Sequence, residues 1–267
     1  MIRLWIPLLL LGIWSLMALL GSTFSLAPNH IDLTNILSLP SIDVWFGHDE
    51  LGRSISERLI IGAQTSFLVA VSVILFSSLV GTIVGIASAF WGGWIDHLLT
   101  RIIDVFLAFP GILLAITLAG IMGPGIKNVV VALTCVGWVS YARLARAQVL
   151  AIKEADHVTA ARALGATSHR IMIYHLLPLL SAPLIIEMSF GIAGIVVAEA
   201  GLSFLGLGVQ PPDASWGSMI RDGTRYMLVA PHVVIAPGVA LMLVVLSVNV
   251  LGDWMRDWLD VKSIRKM

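Results

Sequence analysis

The chain has 267 residues, 58% hydrophobic and 12% charged, with a mean hydropathy of +0.96, shares that mark a membrane protein and exclude an ordinary soluble domain. Lysine plus arginine and aspartate plus glutamate number 16 each, so no basic excess points to nucleic acid and no acidic tail to a cationic partner. One cysteine, Cys135 in an apolar run, excludes an internal disulfide framework and a cysteine-rich metal site, and reads as a small buried residue.

A bilayer core about 30 Å thick takes about 20 apolar residues per helix. In chain order six such runs occur, near residues 4 to 26, 64 to 90, 105 to 123, 128 to 149, 179 to 206 and 232 to 252. The expected fold class is therefore all-α, a membrane protein of six transmembrane helices. The first run is longer than the roughly 7 to 15 apolar residues of a signal peptide, so residues 1 to 27 read as an uncleaved first helix. An external segment follows over 28 to 63, then a five-helix core over 64 to 260 holding a polar loop at 150 to 178, then a tail at 261 to 267.

The lysines and arginines of the connecting loops set the orientation. With the N-terminus inside, Arg3, Arg101, Arg143, Arg146, Lys153, Arg162, Arg170, Arg256, Lys262, Arg265 and Lys266 fall on the inner side, against Arg53, Arg58, Lys127, Arg221 and Arg225 outside. That ratio, 11 to 5, places both termini and the polar loop in the cytoplasm. Trp91, Trp94, Trp254 and Trp258 would then mark the inner interface.

The loop contains "DHVTAARALGATSHRIMIYHLLP", residues 156 to 178. Residues 151 to 164 are strong helix formers, and Gly165 can take the left-handed conformation that stops a helix. A second helical piece runs from Ser168 and is expected to end where Pro178 opens the fifth span. Ala160, Ala161, Ala163 and Ala166 present little side chain, with Arg162, His169 and Arg170 around them, a pattern that suits docking into a cleft and equally a solvated connection.

Two carboxylates fall inside the fifth span. Glu187 lies nine residues past Pro178, about 13.5 Å along a helix and so near mid-bilayer, and Glu199 lies near the outer end. Each either bonds a neighbouring helix or lines a transport pathway. Beyond them "GLSFLGLG" and the pair Pro211 and Pro212 predict a reshaped outer turn, while "GIASAF" and "GIAGIVVAEAG" carry small residues at helical spacing, suited to close packing in lipid. The phosphate loop GxxxxGK[ST] is absent, as are HExxH and GxSxG, so neither an ATPase, a zinc hydrolase nor a serine hydrolase is expected. A secondary transporter would show an inverted repeat, and none is visible.

The loop resembles the cytoplasmic loop of ABC-importer permeases, whose pattern is Glu-Ala-Ala, three residues, Gly, nine residues, Ile, one residue, Leu-Pro. Thr159, Ala160 and Ala161 stand at its head, Gly165 follows at the right spacing, and Leu177 with Pro178 closes it; Thr159 replaces the Glu and His175 the Ile. "GHDELGRSISERLIIGAQTSF", "GGWIDHLLTRIIDVFLAFP", "GLSFLGLGVQPPDASWGSMI" and "NVLGDWMRDWLD" resemble segments of the peptide and nickel branch of that family. The resemblance implies a type I ABC importer permease fold with a cytoplasmic coupling helix, in which Thr159, Ala160, Ala161, Leu164, Gly165, Ala166 and Pro178 form the ATPase-coupling loop and Glu187 and Glu199 border the pathway. It further implies a multi-pass protein of the bacterial inner membrane with residues 28 to 63 in the periplasm. The implied partners are a homologous second permease in a heterodimer, two cytoplasmic ATPase subunits and a periplasmic or lipid-anchored binding protein. No cofactor is expected in this chain, ATP being bound by partners. The implied cargo is di- or oligopeptides, with nickel or a nickel chelate as the alternative.

Overall fold

The computed structural model describes the backbone of residues 2–23, 26–42 and 44–264, and side chains within them except at 2, 3, 22 and 260–264. Residues 265–267 of the expected tail, with Arg265 and Lys266 of the charge count, lie outside the described residues, as do the side chains of Arg3 and Lys262. Ten α-helices follow one another among the described residues: α1 Ile2–Leu20, α2 Ile55–Trp91, α3 Gly93–Leu107, α4 Gly111–Met122, α5 Ile126–Ile152, α6 Asp156–Ala163, α7 Ser168–Ile171, α8 Leu177–Phe204, α9 Trp216–Gly223 and α10 His232–Ile264.

Among the described residues four helical stretches are long and apolar enough to cross a membrane: α2, α5, α7 with α8 as the continuous Ser168–Phe204, and α10. The expected third span, residues 105 to 123, is not one helix. Ala108, Phe109 and Pro110 break it, and α3 and α4 meet at 85°. Proline cannot donate a backbone hydrogen bond and disfavours helical backbone in the residue before it, so Pro110 ends one helix and begins another. The 12 residues of α4 reach only about 18 Å, less than a bilayer core. The 19 residues of α1 reach about 28 Å, and α2 begins at Ile55, nine residues before its apolar run.

Lipid offers helices no hydrophobic gain for associating, so close backbone approach must hold them. The tightest pairing is α2 with α5. A Cβ on Gly81 would collide with the Trp138 carbonyl and the Tyr141 side chain, and one on Gly85 with the Ala142 carbonyl and Ala145. Three principal apolar clusters complete the bundle. One joins α1, α2, α8, α9 and α10 around Trp14, Trp216 and Val244. A second joins α2, α5, α6 and α8 around Tyr141, Val158 and Leu180, and a third sets α4 and α5 on α2 through Val69, Ala119 and Val129. Cys135 is exposed rather than buried, on a face of α5 turned away from the bundle.

Candidate functional site

Two regions carry the chemistry, at opposite ends of the bundle. At the first, α5 ends and the chain enters α6. Ala155 is extended, and its carbonyl accepts from the N–H groups of Val158 at 2.9 Å and Thr159 at 3.0 Å. The helix stops in a Schellman turn: Gly165, with φ of 82°, donates to the Arg162 carbonyl at 3.0 Å, and Ala166 donates to the Ala161 carbonyl at 3.1 Å. A Cβ at Gly165 would meet nothing within 4 Å, so the requirement there is conformational rather than steric.

This short helix is tied to the bundle on one side. Val158 is fully buried and Ala161 nearly so, Arg162 lies 6.0 Å from the Phe90 ring, and Ala166 packs on the same cluster as Val158. The Lys153 ammonium donates to the Ala89 carbonyl at 3.1 Å. Beside it Arg146 grips Asp96 through two bonds of 2.7 Å, joining α5 to α3. The expected outward pair Ala160 and Ala161 therefore splits. Adjacent helical residues point about 100° apart, so Ala161 faces inward while Thr159, Ala160, Ala163, Leu164 and Gly165 form the exposed surface. Leu164 stands out from it, 89% exposed.

The second helical piece does not end at Pro178. From α7 it continues through a π-helical turn, Met172–Leu176, straight into α8. Pro178 has no N–H for the Tyr174 carbonyl and its ring crowds that carbonyl, so the helix widens by one residue and Leu177 donates to Met172 instead. Pro178 itself is exposed.

At the other end the two carboxylates separate. Glu199 is 1% exposed and bonded within the bundle: Ser66 Oγ of α2 donates to its Oε2 at 3.0 Å and Ser203 Oγ of α8 to its Oε1 at 2.7 Å. Glu187 is half-buried and makes no hydrogen bond or ion pair with the described residues, within electrostatic reach of Tyr141. Near it a groove of about 610 Å³ opens between α2 and α8, lined mostly by apolar side chains such as Phe76, Leu79, Leu184 and Met188, with Ser72, Ser78 and Thr82 among them.

Sequence reading missed a buried ion network at this end. Arg53 bonds Asp49 at 2.7 Å and Glu50 at 2.9 Å, and Arg58, 3% exposed, lies 3.4 Å from Asp49. Arg58 also donates to the Pro28 carbonyl, the Asn29 side chain and the Pro212 carbonyl, binding three chain segments together. Burial pushes the Glu50 carboxyl above the ordinary carboxylate range, opposed by Arg53. Two arginines counted as outer loop charges are thus interior. The available signal was "DELGRSISER", with acids and bases at helical spacing before an apolar run.

An exposed helix, glycine turn and helix at one end of a bundle of long apolar helices, with a largely apolar groove between two of them, fits a membrane transport subunit. Residues 77–265 match the family described as "Binding-protein-dependent transport system inner membrane component". The glutathione transport system permease protein GsiD of Escherichia coli O6:K15:H31 (strain 536 / UPEC) is 40% identical over 236 residues, 88% of this chain and 78% of that protein. The GsiD protein of Shigella boydii serotype 4 (strain Sb227) matches equally. Among solved structures, an inward-facing form of the MetNI methionine ABC transporter superposes with a TM-score of 0.62 at 20% identity, covering 76% of this chain and 96% of that one. An amino acid ABC transporter crystallised with histidines gives 0.54 at 18% identity, covering 76% and 94%, and both support the fold alone. The chain belongs to the family of binding-protein-dependent inner-membrane transport components, the permeases of ABC importers. It is a multi-pass membrane protein of a non-catalytic transport family.

Proposed function

We propose that this chain is one of two homologous permeases in an importer of small peptides, driven by two cytoplasmic ATPase subunits and loaded by an external binding protein. The observation that carries the cargo class is the 40% identity to a glutathione permease over 88% of the chain, glutathione being a peptide-like cargo. In this arrangement the chain crosses six times, with α1 and the bent pair α3 and α4 as the two irregular crossings, and both termini and α6 face the cytoplasm; the excess of lysine and arginine on that side supports it. Thr159, Ala160, Leu164 and Gly165 meet the ATPase; Ala161 and Ala166 hold that surface on the bundle, and Pro178 sets the π-helical turn that leads from it into α8.

In alternating access, force applied at α6 passes into α2, α5 and α8 together, because Val158, Tyr141, Ile86 and Leu180 share one buried cluster. Glu187 borders the route: a half-buried carboxylate with no partner among the described residues is costly near mid-bilayer unless water or cargo meets it. Replacing Glu187 with Gln should lower uptake while leaving assembly intact. The deciding measurement is uptake into proteoliposomes holding the full importer and its binding protein, with labelled tripeptide and nickel offered separately. Peptide uptake is expected. Nickel uptake without peptide uptake would overturn the cargo reading and favour the nickel branch.

A further inference from the structure

We infer that Glu199 is a positioning residue: its carboxylate ties α2 to α8 beneath α9, and so sets the seat of α9 and the surface that this end of the permease offers to the binding protein. The inference rests on the permease reading for the identity of that partner, and on geometry for the clamp itself.

A carboxylate is acceptor-only, with two oxygens able to take several donors, whereas a serine hydroxyl carries one proton. Around Glu199 those capacities are matched. Ser66 and Ser203 each give their proton to a different oxygen, and Ser215 also faces the carboxylate. Ser215 is the N-cap of α9: its Oγ accepts the Ser218 N–H at 3.2 Å and donates to Ser218 Oγ at 3.5 Å, which ties its hydroxyl to its own helix. One side chain thereby collects donors from α2 and α8, 133 residues apart in the case of Ser66, beside the N-cap of α9.

Three other contacts run the same way. Thr65 donates to the Ala214 carbonyl at 3.0 Å, Trp216 Nε1 donates to the Leu59 carbonyl at 3.1 Å, and Arg221 donates to the Ser203 carbonyl at 3.3 Å. Gly217 sits so close to Ala200 that a Cβ would strike its carbonyl oxygen. The helix is therefore a plug seated in the bundle, and Glu199 is the hub beneath it. Without the carboxylate, Ser66 and Ser203 lose the acceptors they use where little water reaches.

The test compares Glu199→Gln, Glu199→Ala and Ser66→Ala in the assembled importer. Amide hydrogen exchange over residues 214–223 reads the clamp, and ATPase activity with and without binding protein reads its consequence. Glu199→Gln should keep slow exchange and uptake, because the amide accepts with one atom and donates to a serine lone pair with the other. Glu199→Ala should speed exchange by about tenfold or more, the scale of losing a buried hydrogen bond. It should lower ATPase stimulation by the binding protein and leave basal ATPase activity unchanged. Ser66→Ala should fall between and decides the matter if Glu199→Ala does not assemble. Unchanged exchange in both alanine variants overturns the clamp. Loss of uptake in Glu199→Gln at unchanged exchange overturns it too, since the charge itself would then be needed. Faster exchange with undiminished stimulation overturns the link to the binding protein. Exchange depends on no cargo, so failure of the peptide reading leaves the clamp separately measurable.

Discussion

Gly165 and Gly206 end two helices with the same hydrogen-bond pattern, yet the surroundings of the two turns are opposite. At Gly206, φ is 84°, its N–H bonds the Ser203 carbonyl at 3.0 Å and Leu207 bonds the Leu202 carbonyl at 2.9 Å, repeating the Schellman geometry of Gly165. The Gly165 turn stands clear of other atoms, with Leu164 beside it almost wholly exposed. The Gly206 turn has Arg221 over it and leads into α9, whose Trp216 is 2% exposed. A helix stop is a local device that serves two purposes. At the α6 end it presents a surface that this chain leaves open, and at the α9 end it folds the chain back into its own interior.

The largest effect on transport should come from breaking the two turns in parallel. Valine at either glycine meets a left-handed backbone that costs about 1 to 2 kcal/mol, more for a β-branched side chain. That is too little to unfold the bundle, so each substitution should act at its own end. Gly165→Val should reduce recovery of the ATPase with the permease and uptake by roughly tenfold, the scale on which interface hot spots act. Gly206→Val should leave ATPase recovery intact and weaken stimulation by the binding protein. Co-purification and stimulated ATPase activity measure both. Equal ATPase recovery in the two variants would abolish the contrast.

Leu164 and Trp216 sharpen it. Both are large and apolar, 89% and 2% exposed. Trp216→Ala should destabilise the α9 end by about 3 to 5 kcal/mol, because it empties a buried site and removes the donor to the Leu59 carbonyl. Leu164→Ala should change thermal stability by no more than about 0.5 kcal/mol. It should still reduce ATPase recovery. Thermal unfolding in detergent beside co-purification separates stability from docking.

What could be read from the sequence follows the same division. The long apolar helices and the short helix α6 with its glycine stop are local patterns, visible in apolar run length and in helix formers bounded by a glycine. The break at Pro110 carried a visible signal, but an apolar run on both sides of it masked the bend. The inward turn of Ala161 could have been foreseen from helical periodicity. The seat of Glu199 could not, since Ser66, Ser203 and Ser215 meet only through packing of α2, α8 and α9. Nor could the interior position of Arg58, which depends on carbonyls from Pro28 and Pro212.

A more modest effect is expected at the α6 end from Arg146→Ala. The paired bonds to Asp96 are partly exposed and join α3 to α5, so their loss should cost about 1 kcal/mol. High salt should weaken the wild type toward the variant. Thermal unfolding of both proteins at low and high ionic strength checks this, and a salt-independent difference would mean that packing of the arginine stem, rather than charge, joins the helices.

The smallest effect concerns pH at the opposite end, where Glu50 lies against Arg53 and near Asp222. Burial, the largest cause, raises its carboxyl above the ordinary value, and the neighbouring Asp49 and Asp222 charges push the same way against Arg53. A carboxyl raised in the folded state holds its proton there more tightly than in the unfolded chain. The folded state then binds more protons than the unfolded one between the two pKa values, so stability falls as pH rises through that window and is recovered as pH falls back through it. This opposes the usual carboxylate trend, in which acid destabilises. Glu50→Gln removes the titrating group and keeps an acceptor for the Arg53 guanidinium. The expected result is that the variant loses the wild type's gain on mild acidification, with little change in its fold. Thermal unfolding midpoints measured for both proteins from neutral pH down to the ordinary carboxylate range decide it. If acid lowers the wild-type midpoint no less than that of Glu50→Gln, burial does not govern this carboxylate and the Arg53 ion pair does.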